Sequence, residues 1–264
     1  VNEIIKVFEE TPRLRTLCGF EEGVEHIDWS SSDKGPADVA LLSAELKVGR
    51  AVAALNSISC LMNPIGEEGL ATLVAAVKDS SVRSICGLTD GQDTADFSGM
   101  GLRPFDLKIL KAEFDFRGAI AALNSLRCGN NPGMVGELWR DGTLKTPDAH
   151  AEVFKQLTDS LKTSQVTEVD FSSCGIGAVA LGHLSDWVRD ATAAITSLTV
   201  DSTGDMKNQK TYTLTADEEK IDLSSNNLGP ADVTLLSAWL ATCAGATAST
   251  RVVLSGSMIT SLRI

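Results

Sequence analysis

The chain has 264 residues, of which 43% are hydrophobic but only 5% aromatic, and its formal net charge is −12. An apolar fraction of this size can fill a core, which must then be built from Leu, Ile, Val and Ala. The negative charge disfavours binding to nucleic acid or to anionic lipid, and the absence of a long apolar run predicts no direct membrane insertion.

The first segment, 1–14, is predicted to be a capping helix. Ile4, Val7 and Phe8 share one helical face, and Pro12 ends the helix. Repetitive folds need such a cap where stacking stops. A linker helix that follows some other region is an equally good interpretation of the same pattern.

From residue 25 onward the chain repeats one unit, which is a short strand, a turn and an amphipathic helix. The best copy is 219–240 (EKIDLSSNNLGPADVTLLSAWL), in which Ile221 and Leu223 precede Asn226 in an L-x-L-x-x-N-x-L pattern. The turn runs into Gly-Pro-Ala-Asp, and proline is favoured one step inside a helix because its missing N–H would be unpaired there anyway. Asparagine at the Asn226 position, as at Asn63 and Asn131, is expected to hydrogen-bond neighbouring turns.

The units are grouped into a larger module that is duplicated. Residues 15–20 (RTLCGF) recur at 83–88 (RSICGL), and 51–60 (AVAALNSISC) recur at 119–128 (AIAALNSLRC). The offset from 15 to 83 equals the offset from 51 to 119, and one constant offset over separate blocks indicates duplication of two units at a time. Inside the module, the step from Ile27 to Ile58 equals the step from Ala95 to Leu126, and it leaves room for a full helix in each unit.

Two segments depart from the repeat. Residues 133–146 (GMVGELWRDGTLKT) form an insertion, in which Trp139 is expected either to anchor an interface or to cover the core beneath it. The adjoining Thr-Pro-Asp at 146–148 predicts the start of a helix that ends near residue 161. In 195–215, two β-prone runs flank a polar turn and predict a hairpin. Insertions that break a regular repeat often carry the specific contacts.

These features resemble the leucine-rich-repeat proteins of the ribonuclease-inhibitor-like class. LSSNNLGPADVTLLSAWL and LMNPIGEEGLATLVAAV carry the resemblance, and the double module is similar to repetitive leucine-rich-repeat proteins of single-celled eukaryotes. The resemblance covers roughly residues 15–260. It implies an α/β fold with one solenoid domain over 1–264, curved into a horseshoe, with parallel strands on the concave face and helices on the convex face.

Alternation along each strand predicts the residues that face the concave side. Together with Trp139, the candidate partner-binding residues are Asp28, Asp96, Arg127, Glu168, Asp170 and Asp222. Ser59 is expected on the same exposed face. This mostly acidic set suits a protein partner with a basic surface. The alternative is that the aspartates only keep exposed strands soluble.

The sequence offers no motif for catalysis. The six cysteines lack C-x-x-C spacing, and Cys60 and Cys128 occupy the same inward position in the two copies of the module, which is typical of packing residues in a reducing compartment. The three histidines fall on unrelated elements, and no glycine-rich phosphate-binding motif occurs. We therefore expect no enzyme activity, no cofactor and no metal, and an intracellular location, in the cytoplasm or in an organelle.

The function expected from these features is a non-catalytic protein–protein interaction scaffold or an assembly subunit, which binds through the concave strands and the irregular loops. The resemblance leaves two alternatives open. One is a regulator of a small GTPase, and the other is a structural subunit that stabilises a large multi-protein complex.

Overall fold

A computed structural model of the protein describes residues 1–116, 119–216, 218–242 and 251–255. In these ranges the fold is mixed α/β, with seven α-helices and short strands between them. The helices are α1 (Asn2–Glu10), α2 (Pro36–Val48), α3 (Gly66–Lys78), α4 (Pro104–Phe116), α5 (Ala151–Leu161), α6 (Ala178–Asp190) and α7 (Pro230–Thr242). The strands are β1 (His26–Asp28), β2 (Ser57–Ser59), β3 (Thr94–Asp96), β4 (Ser125–Arg127), β5 (Glu137–Leu138), β6 (Leu144–Thr146), β7 (Glu168–Asp170), β8 (Ser197–Asp201), β9 (Thr211–Thr215), β10 (Lys220–Asp222) and β11 (Arg251–Val253).

The chain divides into two compact units. The first unit comprises Val1–Gln92 and Ile109–Ala122, and the second comprises Asp93–Lys108 and Leu123–Ile264. None of the helices described is long and apolar enough to cross a membrane. Cys243 and the last repeat positions, Ser257 and Ile259, lie outside the described residues.

In the first unit, β1 and β2 pair in parallel, and the buried Ile27 lies opposite the buried Ile58. The second edge of β2 is also occupied. Ile58 N–H donates to Ser84 O at 2.9 Å, and Gly87 N–H donates to Ile58 O at 3.0 Å. The segment Arg83–Gly87 therefore lies along the second edge of β2, where two isolated bridges join Ser57 to Ser84 and Ser59 to Cys86.

In the second unit, five strands form one sheet in the order β3-β4-β7-β8-β9. The first four are parallel, and their buried central residues lie opposite one another across the sheet: Ala95, Leu126, Val169 and Leu198. The last strand, β9, pairs antiparallel with β8 along its whole length, so the segment predicted as a hairpin is one. Strands β10 and β11 pair separately, in parallel.

Three helices begin in the same way because their first turn repeats a proline and an aspartate. Proline stands at the first helical position, and the aspartate that follows it in that turn accepts the N–H of the residue before the proline. This arrangement pairs one of the backbone donors that a helix start leaves free. The bonds are Gly35 N to Asp38 at 2.9 Å, Arg103 N to Asp106 at 2.8 Å and Gly229 N to Asp232 at 2.8 Å.

Two buried asparagines join successive turns, as the sequence predicts. The amide of Asn131 donates to Phe97 O at 2.9 Å and accepts the N–H groups of Gly101 and Leu102 at 2.8 and 2.9 Å. Asn63 makes two equivalent bonds in the first unit, to Trp29 O at 2.7 Å and from Lys34 N–H at 2.9 Å, and its third bond comes from the N–H of Ser32. The third asparagine predicted to bond a neighbouring turn was Asn226. The side chain that bonds the preceding loop is instead that of the next residue, Asn227.

Two buried glutamates at equivalent positions of the module hold the two copies of the Arg-x-x-Cys-Gly segment. Glu113 Oε2 accepts the N–H of Ile85 at 2.7 Å, with further bonds from the neighbouring Ser84 and Cys86. Glu45 Oε1 accepts the hydroxyl of Thr16 at 2.7 Å and the next two backbone N–H groups. Both glutamates are only 1% exposed, and the second oxygen of each has no hydrogen-bond partner among the described residues. This pair was not predicted from the sequence, although the two positions are related by the same offset as the duplicated blocks.

The expectation that Ser59 is exposed was wrong. Ser59 is only 8% exposed because Gly87 lies directly against it, so that a β-carbon on Gly87 would be 3.0 Å from the β-carbon of Ser59. The Ser59 hydroxyl also lies 2.5 Å from that of Ser30. Strand alternation predicted the side-chain direction, but the covering segment comes from a distant part of the chain.

Replacing the fully buried Asn131 should strongly destabilise the second unit. Asn131→Ala leaves several buried backbone groups unpaired, and we expect the free energy of unfolding to fall by about 3 kcal/mol. Urea denaturation measures the change. Asn124 is exposed in the same unit, and Asn124→Ala should change the unfolding free energy by less than about 0.5 kcal/mol. Equal effects of the two variants would contradict this role.

Glu113 should make stability depend on pH. Burial raises the pKa of the Glu113 carboxyl above its ordinary value of 4.5. The folded protein therefore holds a proton that the unfolded chain releases. The contribution of Glu113 to stability is fully present below about pH 4.5 and is lost as pH rises through the raised pKa, by at most ~1.4 kcal/mol per pH unit. Urea denaturation of wild type and Glu113→Gln at several pH values measures this, and the variant should lack this fall. Glu68→Gln, at an exposed position, should follow the wild-type profile. A profile of Glu113→Gln that matches the wild type would contradict the assignment.

Candidate interaction surface

The outward face of the five-stranded sheet carries one aligned row of side chains. Asp96, Arg127 and Asp170 lie opposite one another on β3, β4 and β7, and the row continues to Thr199 and Thr213. Arg127 thus stands between two aspartates, and the charges in the row alternate. The face is acidic on balance, as in the mostly acidic set named from the sequence, which includes Arg127.

The aspartates at the strand ends also have a local role. Each accepts the backbone N–H of the serine that closes the following turn, which turns the chain away from the sheet. The distances are 2.8 Å for Asp28 with Ser30, 2.9 Å for Asp96 with Ser98, 2.9 Å for Asp170 with Ser172 and 3.1 Å for Asp222 with Ser224. The bonds from Ser98 lower the pKa of Asp96, and the pKa of Asp222 is lowered chiefly by its bond from Lys220. Turn formation is therefore one reason why aspartate occurs at these four positions.

The candidate strand residues are distributed over three sheets. Asp96, Arg127, Glu168 and Asp170 share the five-stranded sheet of the second unit. Asp222 lies on the separate β10–β11 pair of that unit, and Asp28 belongs to the first unit. All of them are exposed except Asp170, which is half-buried.

The insertion at 133–146 folds into a small antiparallel hairpin of β5 and β6. Trp139 N–H donates to Thr143 O at 2.8 Å across the turn, and the Asp141 carboxylate accepts both the N–H and the hydroxyl of Thr143. Gly142 has a φ of +84°, a conformation that favours glycine. The tip of this hairpin is therefore an ordered turn.

Trp139 lies on the outside of this hairpin and is 57% exposed. Lys145 Nζ is 5.2 Å from the centre of the indole ring, and the same nitrogen is 2.7 Å from the Glu137 carboxylate. The core beneath the insertion is filled instead by Met134 and Val135, both fully buried. Trp139 therefore does not cover the core. Its indole is exposed, which the interpretation as an interface anchor requires.

The base of the hairpin is tightly joined to the following repeat. Val135 N–H donates to Cys174 O at 3.1 Å. Gly175 has a φ of +74°, and a β-carbon there would lie 2.5 Å from Gly136 N and from Pro132 O. The atoms in this contact belong to the main chain and cannot rotate aside as a side chain can. The hairpin therefore cannot shift unless the following repeat moves with it. This contact fixes the base from which Trp139 projects.

Asp148 has a different role from the one predicted. The Thr-Pro-Asp sequence does not start a helix, because α5 begins only at Ala151. The Asp148 carboxylate instead accepts N–H groups at the start of α6, from Gly177 at 2.8 Å, Val179 at 2.7 Å and Ala180 at 3.0 Å. The end of the insertion therefore caps a helix of the following repeat, and this adds to its attachment.

The second irregular segment, the β8–β9 hairpin, has one buried and one exposed face. The hydroxyls of Thr199 and Thr213 lie 2.9 Å apart on the exposed face. On the buried face, Tyr212 donates its hydroxyl to Asp232 at 2.9 Å, and burial together with that carboxylate raises the pKa of Tyr212. Asp232 also accepts from Thr203, so this hairpin is linked to the start of α7.

The described thiols have the properties of packing groups. None of the described cysteines, Cys18, Cys60, Cys86, Cys128 and Cys174, forms a disulfide, and all but Cys18 are buried. Burial raises the pKa of Cys60 to about 12, so this thiol is protonated and unreactive at neutral pH. Among the described residues, no group of three or more His, Cys, Asp or Glu side chains is arranged to hold a metal ion.

No protein-family model matches this sequence, and no curated protein is significantly similar to it. The geometry alone therefore provides the candidate site. Its parts are the outward row of the five-stranded sheet and the anchored hairpin that carries Trp139.

Proposed function

We propose that the protein is a leucine-rich-repeat protein of the ribonuclease-inhibitor-like class, and that it binds a protein partner without catalysing a reaction. Support for the repeat class comes from inside each unit. Parallel strands pair in register at one constant step along the chain, as in Ile27 with Ile58 and Ala95 with Leu126. The buried asparagines 63 and 131 make the same bonds between successive turns.

The proposal includes a curved solenoid. Parallel strands lie about 4.8 Å apart, whereas packed helices need ~8–10 Å. Units that place a strand on one side and a helix on the other must therefore bend when they stack. The outward strand row, with Asp96 and Arg127, would then line the concave side.

Small-angle X-ray scattering tests the solenoid. A compact globular protein of this length has a radius of gyration of about 18 Å, and an arc of stacked units must exceed it. We expect a clearly larger radius and a pair-distance distribution with an extended tail. A radius near the globular value, at several protein concentrations, would contradict the curved solenoid.

The observation that carries the binding function is the exposure of Trp139 on an anchored hairpin. Large aromatic side chains that bury on binding supply much of the energy of protein interfaces. A fixed side chain also loses little conformational entropy on binding. The hairpin is held by Gly175, Asp148 and Lys145 as described above, so Trp139 is presented in one orientation.

The charges on the sheet face favour a partner with a particular kind of surface. Asp96, Glu168 and Asp170 are acidic, and Arg127 stands among them. Such a row favours a partner surface rich in Lys and Arg that also offers a carboxylate to Arg127. Electrostatic matching of this kind contributes to the association rate and to specificity, whereas the tryptophan contributes to the lifetime of the complex.

Trp139→Ala should weaken binding without weakening the fold. Because the indole does not fill the core, the unfolding free energy should stay within about 0.5 kcal/mol of wild type. Affinity for the partner should fall by about 2 kcal/mol, or ~30-fold. The partner is first identified by crosslinking mass spectrometry on native material, and biolayer interferometry with the purified partner then gives both dissociation constants.

Val179 provides the matched control, because its side chain is 54% exposed on α6 and is not part of the hairpin. Val179→Ala should leave the affinity unchanged. Crosslinks from the helices alone, together with wild-type affinity in Trp139→Ala, would overturn the proposed site. A partner that stays bound through stringent detergent washing would identify the protein as an assembly subunit and not as a transient scaffold.

A further inference from the structure

Arg127 is the one residue that changes the charge between the two copies of the duplicated block. In 51–60 and 119–128, Arg127 takes the position of Ser59. Ser59 is buried against Gly87 of a covering segment, whereas Arg127 is exposed on the outward face of the five-stranded sheet. The second copy therefore presents a cation at a position that is covered in the first copy.

Arg127 has no salt bridge with a described residue, although Asp96 on β3 and Asp170 on β7 are its in-register neighbours. Each of these carboxylates instead accepts the N–H of the serine in its own turn. The Asp170 carboxylate also lies against Gly129, since a β-carbon on this glycine would be 3.1 Å from Asp170 Oδ2. Both acids are thus held near their turns, and the side-chain donors of Arg127 make no hydrogen bond within the part of the chain that the structure describes.

The sheet sets the spacing of the outward row. Neighbouring strands lie about 4.8 Å apart, so Asp96 and Asp170 are roughly 9.6 Å apart at the backbone, with Arg127 midway between them. Thr199 and Thr213 continue the row on β8 and β9, which makes its length about 19 Å. A ligand that pairs with the charged part of the row therefore needs a positive, a negative and a positive group along a line across the strands.

An α-helix fits this spacing better than an extended strand does. Residues four and seven positions apart share one face of a helix, and they lie about 6.0 and 10.5 Å apart along its axis. These distances differ from one and two strand steps by roughly 1 Å, which long side chains absorb. In an extended strand, residues on one face are about 6.7 Å apart, so two steps cover about 13 Å and miss the second aspartate by roughly 4 Å.

We propose that the outward row binds one α-helix of a partner protein, which lies across the strands and carries Lys or Arg at positions i and i+7 and Asp or Glu at position i+4. The inference rests on the proposed function, because it specifies the partner of the same surface. The acidic residue of the helix accepts two parallel hydrogen bonds from the Arg127 guanidinium. The two basic residues pair with Asp96 and Asp170.

The remainder of the row determines what else the helix carries. Glu168 is exposed two positions before Asp170 and points to the same side of β7, so the basic residue at i+7 meets two carboxylates. Beyond them, the hydroxyls of Thr199 and Thr213 bond each other and carry no charge. The turn of the helix that lies over these threonines therefore needs small, uncharged side chains. A helix of about 13 residues spans the whole row.

The chain itself has one helix with this charge pattern, α5, in which Lys155, Asp159 and Lys162 occupy i, i+4 and i+7. This helix packs beside α6, and Lys162 is 3.1 Å from the Asp190 carboxylate of α6. A second copy of the chain therefore does not present α5 as a single helix that can lie along the row. This argument favours a helix of another protein, and the experiment below includes the second copy as an outcome.

The test compares two synthetic peptides of identical composition, each held helical by a hydrocarbon staple. The matched peptide carries Lys, Glu and Lys at i, i+4 and i+7. The scrambled peptide carries them at i, i+2 and i+5, which do not share one helical face. Because the net charges are equal, general attraction to the acidic chain is equal as well. Fluorescence anisotropy at low salt, where surface charges are least screened, should show at least about tenfold tighter binding of the matched peptide to the purified chain.

Arg127→Glu should reverse the preference at the central position of the helix. We expect at least about tenfold weaker binding of the matched peptide, and a gain of similar size for a peptide with Lys at all three positions. Arg140→Glu changes the net charge equally at an exposed residue of the Trp139 hairpin, outside the row. It should leave both affinities within about twofold of wild type. Near-ultraviolet circular dichroism verifies that both variants are folded.

Any of three results would show the proposal to be wrong. The first is equal affinity of the matched and scrambled peptides, or no saturable binding of the matched peptide. The second is an equal effect of Arg127→Glu and Arg140→Glu. The third is self-association of the chain without peptide that Arg127→Glu abolishes, measured by sedimentation velocity, because it would assign the row to a second copy. The proposed function fails separately, if the native partner crosslinks only to the helices and binds Trp139→Ala as tightly as wild type.

Discussion

The structure depends on pairing the backbone groups of turns that lie inside the protein. Very short strands supply few ladder bonds, and the turns that follow them are buried by the next repeat. Buried backbone N–H and carbonyl groups cost free energy unless they are hydrogen-bonded. Asn131 satisfies the turns in the second unit, and Glu113 satisfies the non-helical segment at 84–86 in the first. These polar side chains are therefore part of the core, as much as the leucines around them.

This constraint also indicates where binding can occur. In the regular units the turn groups are paired within the protein, and even the strand-end aspartates bond their own serines, as Asp28 bonds Ser30. Groups that remain available lie where the chain departs from the repeat, as at Trp139 on the anchored hairpin. A departure that is firmly attached, as this hairpin is, suits recognition because little order has to be gained on binding.

Much of the local structure could be predicted. The proline of the Gly-Pro-Ala-Asp turn predicted the beginning of a helix, and α7 begins at Pro230. The two β-prone runs around a polar turn form the β8–β9 hairpin, and the asparagines at 63 and 131 bond as expected. Neighbouring residues decide these features, because apolar spacing, proline and turn residues act over a few positions. The prediction for Ser59 was wrong, because the segment that buries it, around Gly87, follows only after the whole of α3.

The sequence by itself determined the step between paired strands, the duplication and most of the helix positions, because these follow from repeated blocks and from apolar spacing. The start of α5 is an exception. Only the tertiary structure decided which polar side chains are buried. Glu45 looks like an ordinary helix-surface glutamate, and Asp148 looks like the start of its own helix. The role of each side chain is set by a hydrogen-bond partner that is distant along the chain, Thr16 for Glu45 and Gly177 for Asp148. Such pairs form only when one repeat is stacked on the next.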